Sequence, residues 1–463
     1  MRSSVLAVAL LLCPGLASAK HPVDWDKARA EIITHFSNLL RIDTSNPPGN
    51  ETAAANYVKG VLEREGIPVK LLALEPQRAN LVARLQGDGS RRPILIMGHT
   101  DVVGVQREKW TVDPFAAIRK DGFIHGRGAV DDKDNLTAGL MLMLYLKRAN
   151  VPLTRDVIFG AEAGEESTTR VGIDFLISRH WNEIDAEFAL AEGGGAPMRD
   201  GKVRYVSIGT TEKVPRPVRL VARGNAGHGS RPTPDNPIVR LSAAVARFAT
   251  WQPPVRLNDT TRAYFERLAT ISPPAEAWRY NHVNDASAIA NIDRYFAQHE
   301  FGHYSALRTS IVPTILKGGF RSNVIPSETE ATLDVRALPD EDMDKLYAEI
   351  RKVINDPKVE VVPPARPGRP AAAPSRLDTP LFRALENAQR TVYPGAITIP
   401  MMQNGATDMA QLRAKGVQAY GVGPMTPEGD TRGAHSDDER IMEEALIKLV
   451  QFMWHAVTEV AAK

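Results

Sequence analysis

Glu165 and Glu166 stand side by side where the apolar run of DVIFGAEAGEESTTR ends. Adjacent acids in a loop are ordinarily solvated, and they acquire a chemical meaning only if other metal-capable or proton-carrying groups converge on them. Such groups recur in the same setting. PILIMGHTD ends in His99 and Asp101, and FALAEGGG ends in Glu192. Two loops before helical patterns, HGRGAVDDKDN and RGAHSDDERI, carry Asp131 and His435. In the second loop Ser436 and Glu439 have the spacing of a capping box, which predicts that His435 sits at a helix entrance.

Ligand sites of open α/β sheets form beyond the carboxyl ends of the strands, which is where these side chains fall. Taken singly, each reads as a satisfied polar residue. Taken together, Asp131, Glu165, Glu166 and Glu192 in one crevice would repel and raise one another's pKa values, and cations remove that cost. Two divalent ions are balanced by Asp131, Glu166, Glu192 and one hydroxide, with neutral His99 and His435 as further ligands. Mixed histidine and carboxylate ligation suits zinc first, with cobalt or manganese as alternatives.

The elements that must position these groups follow from hydrophobic periodicity. DWDKARAEIITHFSNLLRI and ANYVKGVLEREG read as amphipathic helices on either side of TSNPPGNE. The strand-like runs NLVARLQG, PILIMGH, DVIFGAEA and FALAEGG then alternate with the helix NLTAGLMLMLYLKRAN, which predicts an α/β domain. A different texture begins near Val203. There RYVSIGT, PVRLVARG, SIVPTILKGG and SETEATLDVRALP read as strands without regular crossover helices, an inserted α+β domain. Residues from about 251 to 310 are rich in proline and aromatics and read as a helical elaboration of it. After VVPPARPGRPAAAPSR the α/β texture resumes with the helix TPLFRALENAQRTV, the strand VQAYGVG and the helix ERIMEEALIKLVQFMWHAVTEV.

The chain has 463 residues, beyond the roughly 250 to 300 at which single cores divide, so two domains are expected. Lysine plus arginine number 57 against 55 aspartates and glutamates, and no basic stripe with interleaved aromatics occurs, which argues against nucleic acid as a partner. The opening MRSSVLAVALLLCPGLASA has a basic start, an apolar core and the small-x-small end Ala17-Ser18-Ala19, so residues 1–19 read as a cleaved export signal. Its core is shorter than the about 20 residues a membrane helix needs, and the mature chain is expected in the periplasm or secreted, with no membrane association. Cys13, the single cysteine, leaves with that segment, so disulfides and thiol chemistry are excluded from the mature chain.

In order, DTSNPPGN, GHTDVV, GRGAVDDK, GEES, EGGG, GHGSRP, NVIPSETEATLDVR and AHSDDER make the chain resemble the M20 family of metallopeptidases and amidohydrolases, in its carboxypeptidase S and aminoacylase-1-like branch. The resemblance implies an α/β fold: a zinc-peptidase-like catalytic domain, with a mixed central sheet flanked by helices, over 20–208 and 338–463, interrupted by an inserted α+β lid and dimerisation domain over 209–337. It implies two divalent ions, His99 and His435 as terminal ligands on different ions, Asp131 as the bridging carboxylate, and Glu166 and Glu192 completing the shells. Glu165 is then the general base and Asp101 the acid that orients its neighbours. A cis peptide is implied at Asp131-Asp132. His228 in GNAGHGSRP is implied to reach the reacting carbonyl oxygen, in the same chain or across a homodimer. Asn323 and Arg336 are implied to grip the amino-acid end of the substrate, with Thr407 of GATD lining the same pocket.

Two departures bear on the subfamily. Ala191 stands before Glu192 where relatives often have aspartate, and Asp134 where glycine or serine is common. The implied reaction is hydrolysis of an amide or peptide bond next to a free carboxylate, in dipeptides, peptide C-termini or N-acyl amino acids, with hinges of a closing lid near Gly209 and Ala337. The rival reading is a metal-containing protein that binds such ligands without cleaving them. A decayed relative is expected to lose a ligand or the base, and here all of them are present.

Overall fold

The strand Ile94–His99 is buried along its whole length because both of its faces are apolar. Ile94 and Ile96 enter one core, and Leu95 and Met97 enter another on the opposite face. Strands covered by helices on both sides have this composition. The computed structural model describes residues 21–366 and 368–463, so the expected export signal lies outside the described residues.

Ile94–His99 is central to an eight-stranded mixed sheet. In spatial order the strands are Val69–Ala73, Ala79–Leu85, Val157–Glu162, Ile94–His99, Phe188–Ala191, Gln418–Gly421, Tyr205–Glu212 and Ile397–Gln403. The middle four are parallel, so His99, Glu162 and Ala191 leave the sheet at one end. Helices Trp25–Leu40, Lys133–Arg148, Pro380–Val392 and Glu443–Ala461 fill the larger core, and Ile173–Arg179 and Met409–Ala414 cover the other face.

Lys133–Arg148 is buried from Lys133 to Leu146, an apolar helix enclosed on all sides. It approaches the sheet closely because Gly98 has no side chain; a Cβ there would lie 2.7 Å from the backbone nitrogen of Leu136. That approach brings the start of this helix, and Asp131 and Asp132 before it, against His99. The Asp131-Asp132 peptide is cis, as the family resemblance implies.

A second, antiparallel sheet consists of Val214–Pro215, Val218–Arg223, Ser310–Gly318, Glu328–Ala337 and Val359–Val362. Helices Pro237–Ala246 and Met343–Ile354 bury Leu241, Ala244, Leu346 and Ile350 against it. Three expectations about this region need correction. RYVSIGT is not part of the inserted sheet: Tyr205–Glu212 pairs with Ile397–Gln403 in the central one and continues past residue 209, with a shift of register between Gly209 and Thr211. The second sheet does not end at Ala337, which pairs with Val214, because the chain stays with it through Val362. The chain therefore enters this domain at Lys213 and finally leaves it in the proline-rich passage after Val362, rather than at Gly209 and Ala337, and it crosses back to the central sheet once in between, from Pro237–Ala246 to Ser310–Gly318.

The proline and aromatic-rich passage forms four helices, Asp259–Ala269, Pro274–Asn281, Ile289–His299 and Phe301–Ala306. They pack not on the inserted sheet but on the edge strand of the central one, where Phe265, Tyr280 and Phe296 share a core with Ile399. They cover an edge that would otherwise be open to pairing. No described helix is long and apolar enough to cross a membrane.

Candidate metal centre

Two groups of metal-capable side chains lie at the carboxyl end of the central strands, and they share one residue. His99, Asp131 and Glu192 form the first, and Asp131, Glu166 and His435 the second, each with its ligand atoms within 4.8 Å of one another. The two oxygens of Asp131 face different histidines: Oδ1 is 2.9 Å from Nε2 of His99, and Oδ2 is 3.0 Å from Nε2 of His435. His435 Nε2 is also 3.0 Å from Oε1 of Glu166. Nδ1 of His99 is 2.9 Å from the backbone carbonyl of Asp101. A carbonyl only accepts, so Nδ1 holds a proton, and Nε2 is the atom whose lone pair would be left for a cation in the cluster.

Asp101 has the most connected carboxylate of the site. Its Oδ1 accepts from the backbone N–H groups of Gly164 and Glu165, and its Oδ2 from that of Glu166 and from Asn46 Nδ2. One buried carboxylate thus sets the turn that presents both glutamates, and against the cost of burial the neighbouring His99, followed by the bonds from Asn46 and Glu166, holds its pKa below the ordinary value. Asn46 belongs to DTSNPPGN, and its position depends on pairing of Ser45–Asn46 with Val102–Val103.

Ser436 and Glu439 form no capping box. The nearest helix begins at Glu443. Ser436 Oγ donates to the Gly433 carbonyl, and Glu439, fully buried, accepts from Arg127 Nη1 and from the backbone N–H groups of Gly128 and Val130. Its task is therefore to fix the GRGAV loop that leads into Asp131. The spacing was compatible with a cap, but a buried arginine and two free N–H groups from a remote loop outcompete a local turn.

The two adjacent glutamates have different partners. Glu166 faces His435. Glu165 lies outside both ligand groups, and Nη2 of Arg369 donates to its Oε1 at 2.5 Å and to its backbone carbonyl at 3.2 Å. Arg369 Nη1 donates in turn to Asp408. Arg369 lies in the proline-rich passage without regular structure, and no spacing in the sequence pointed to it.

The structure gathers His99, Asp101, Asp131, Glu165, Glu166, Glu192 and His435 in one place. It does not bring His228, Asn323 or Arg336 to them, whereas Thr407 lines one small cavity with His99, Glu165 and Glu192. Exposed His228 pairs with Val324 in a two-residue ribbon, and the Gly229 N–H donates to the Asn323 carbonyl, so these two sit together on the inserted sheet's side. Arg336 Nε donates to Asp334 Oδ1 at 3.0 Å. Thr407 is buried, and both its N–H and its hydroxyl donate to Glu212, so its side chain is already engaged.

Without cations the cluster is an electrostatic burden. Burial, with Asp408 adding to it and Arg369 opposing, pushes Glu165 up to about 8, and burial pushes Asp132 up to about 7. Burial and then Asp131 raise Glu192 well above the carboxylate range, while His435 is raised to about 10 by its bonds to Asp131 and Glu166. The donor set therefore fits cations, which would supply the charge these groups lack.

The raised acids hold protons in the folded state that the unfolded chain has released, so their contribution is present below the unfolded carboxylate pKa of about 4.5 and lost as pH rises through about 7 to 8. His435 acts in the same sense between about 6.5 and 10. The metal-free protein is accordingly expected to melt several degrees lower at pH 7.5 than at pH 5.5. Added divalent ions are expected to remove most of that difference in a thermal shift assay.

A mixed α/β sheet that carries two ligand groups sharing Asp131 at its carboxyl end defines the class as a candidate two-cation protein. Residues 95–459 match the model of peptidase family M20/M25/M40, and the chain belongs to that family as a metal-dependent hydrolase. N-fatty-acyl-amino acid synthase/hydrolase of Xenopus tropicalis is 28% identical over 452 residues, covering 92% of this chain and 85% of that one. Aminoacylase-1B of Rattus norvegicus is 26% identical over 436 residues, covering 93% and 95%. Among solved structures, the M20 family metallo-carboxypeptidase Sso-CP2 from Sulfolobus solfataricus matches with a TM-score of 0.68 and 18% identity over 93% of this chain and 99% of that one, a likeness of fold.

Proposed function

We propose that the protein is an exported two-metal hydrolase that cleaves the amide bond between an acyl group and an amino acid with a free carboxylate. The observation that carries this reading is the pair of ligand groups joined through Asp131, with Glu165 beside them and off both. The relatives named for N-fatty-acyl amino acids and for aminoacylase support the acyl-amino acid class over longer peptides. The leader-like residues 1–19 support export.

His99, Asp131 and Glu192 would hold one ion, and Asp131, Glu166 and His435 the other, with zinc the best match to the donors. When bound, such ions supply Lewis acidity and make a water acidic enough to attack near neutral pH. Glu165 takes the proton of the attacking water and returns it to the leaving amine, which is general base and then general acid catalysis by one group. Asp101 holds Glu165 and Glu166 at fixed positions during both steps. His228 and Asn323 travel on the inserted domain and close on the acyl carbonyl and the amino-acid end, where Arg336 is a bidentate partner for a carboxylate.

The inserted domain also serves as a dimer surface. The edge strand Ser310–Gly318 exposes Val312, Ile315 and Leu316, and Phe320, Ile238 and Val239 are exposed with them. An open apolar edge of this length is a template for pairing with a second copy. Leu316→Glu is expected to shift the protein to monomer in sedimentation, and a wild-type protein that is monomeric at micromolar concentration contradicts the surface.

The function is tested by incubating protein loaded with zinc, cobalt or manganese with N-acyl amino acids of increasing acyl length and with dipeptides, and assaying free amino acid. Release from N-acyl amino acids is the expected result. Binding of these compounds with no release under any metal would favour the non-catalytic alternative.

A further inference from the structure

We propose that Arg369 is the positioning residue that keeps Glu165 off the metal ions and makes it the proton carrier. The proposal rests on the reading of Glu165 as general base. Glu165 and Glu166 are consecutive on one short turn and chemically identical, so the sequence of the turn alone does not decide which of them ligates. The decision comes from what each side chain meets. Glu166 meets His435. Glu165 meets a guanidinium that grips it twice, by its Oε1 and by its own backbone carbonyl.

Arg369 is itself held at both ends. Its second nitrogen is bonded to Asp408, whose side chain is 3% exposed, just before the helix Met409–Ala414. Its backbone carbonyl accepts from Nη1 of Arg216 at 2.9 Å, and the Arg216 N–H donates to the Val335 carbonyl in the inserted sheet. The guanidinium therefore cannot follow Glu165 if that side chain turns towards the cations. Buried ion pairs of this kind add little net stability, because desolvation offsets attraction; what they hold is geometry. The chain that runs from the inserted sheet through Arg216 and Arg369 to Glu165 also links the base to the element that closes over substrate.

The test compares Arg369→Ala, Arg369→Lys and Glu165→Gln in the metal-loaded full chain, with an N-acyl amino acid that the wild type hydrolyses. Displacement of a catalytic group by about 1 Å costs about 100-fold. Arg369→Ala is expected to lose about that factor in kcat, with KM little changed and two metals still bound by elemental analysis. Guanidinium ion at millimolar concentration is expected to restore part of the rate to Arg369→Ala, and none when Glu165→Gln is added. Arg369→Lys keeps the charge and is expected to fall between wild type and alanine, and it reads the same split should the alanine variant fail to fold. Wild-type kcat in the Arg369 variants while Glu165→Gln is dead would overturn the positioning role and leave the base standing. Turnover surviving in Glu165→Gln would overturn the base reading and this role with it. A loss that appears only in KM or in metal content would also overturn it.

Discussion

Glu165→Gln is expected to lower kcat by about 1,000-fold or more while leaving two metal ions per chain in place. Positioned general bases contribute about 100 to 10,000-fold, and in the proposed mechanism the same carboxylate serves both the attack and the departure of the amine. The substitution keeps the shape of the side chain and a hydrogen-bond acceptor for Arg369, so the turn held by Asp101 is expected to survive. Glutamine cannot accept the proton. Elemental analysis and a stopped-time assay on one preparation separate the two effects. The neighbouring Glu166→Gln makes the complementary case, since it removes a carboxylate that faces His435. If both glutamine variants lose metal alike, the division of labour between the two residues is wrong.

Asp131→Asn is expected to have the largest effect on metal content. Every other residue in the two ligand groups belongs to one of them, and Asp131 belongs to both. Asparagine retains one oxygen and replaces the other with a donor, so one histidine is left facing an N–H instead of a carboxylate. Binding of at least one ion is expected to weaken by about 100-fold or more, the scale on which even outer supports of a metal site act. Isothermal titration of the stripped variant reads this directly. Undiminished binding of two ions would show that Asp131 does not join the sites. The approach of its helix to Gly98 should persist in the variant, so the fold is expected to remain.

Most of the site was legible because it lies where strand patterns stop. His99, Glu165, Glu166 and Glu192 each stand at or just after the carboxyl end of a short apolar run, and in parallel strands that position places them at one end of the sheet. Asp131 was legible as a loop residue before a strongly apolar helix. What could not be read was set by long-range competition. Glu439 has the spacing of a local cap, yet a buried arginine and two backbone donors more than 300 residues away claim it. Arg369 sits in a passage whose prolines and alanines advertise a linker, and only the three-dimensional path of that linker carries it to Glu165. The helices from Asp259 to Ala306 interrupt the inserted sheet in sequence, and their attachment to the central sheet depends on Phe265 and Phe296 finding Ile399, a contact no local pattern encodes.

The proposed function makes this chain a hydrolase of acyl-amino acid amides that depends on two cations held through Asp131. The most direct measurement strips the protein of metal, titrates zinc back, and follows bound zinc and released amino acid in the same samples. No release without metal, and a rate that reaches its plateau at two zinc ions per chain, are the expected results. Full activity in the stripped protein, or two bound ions with no amino acid released from any N-acyl amino acid or dipeptide, would contradict the proposed function.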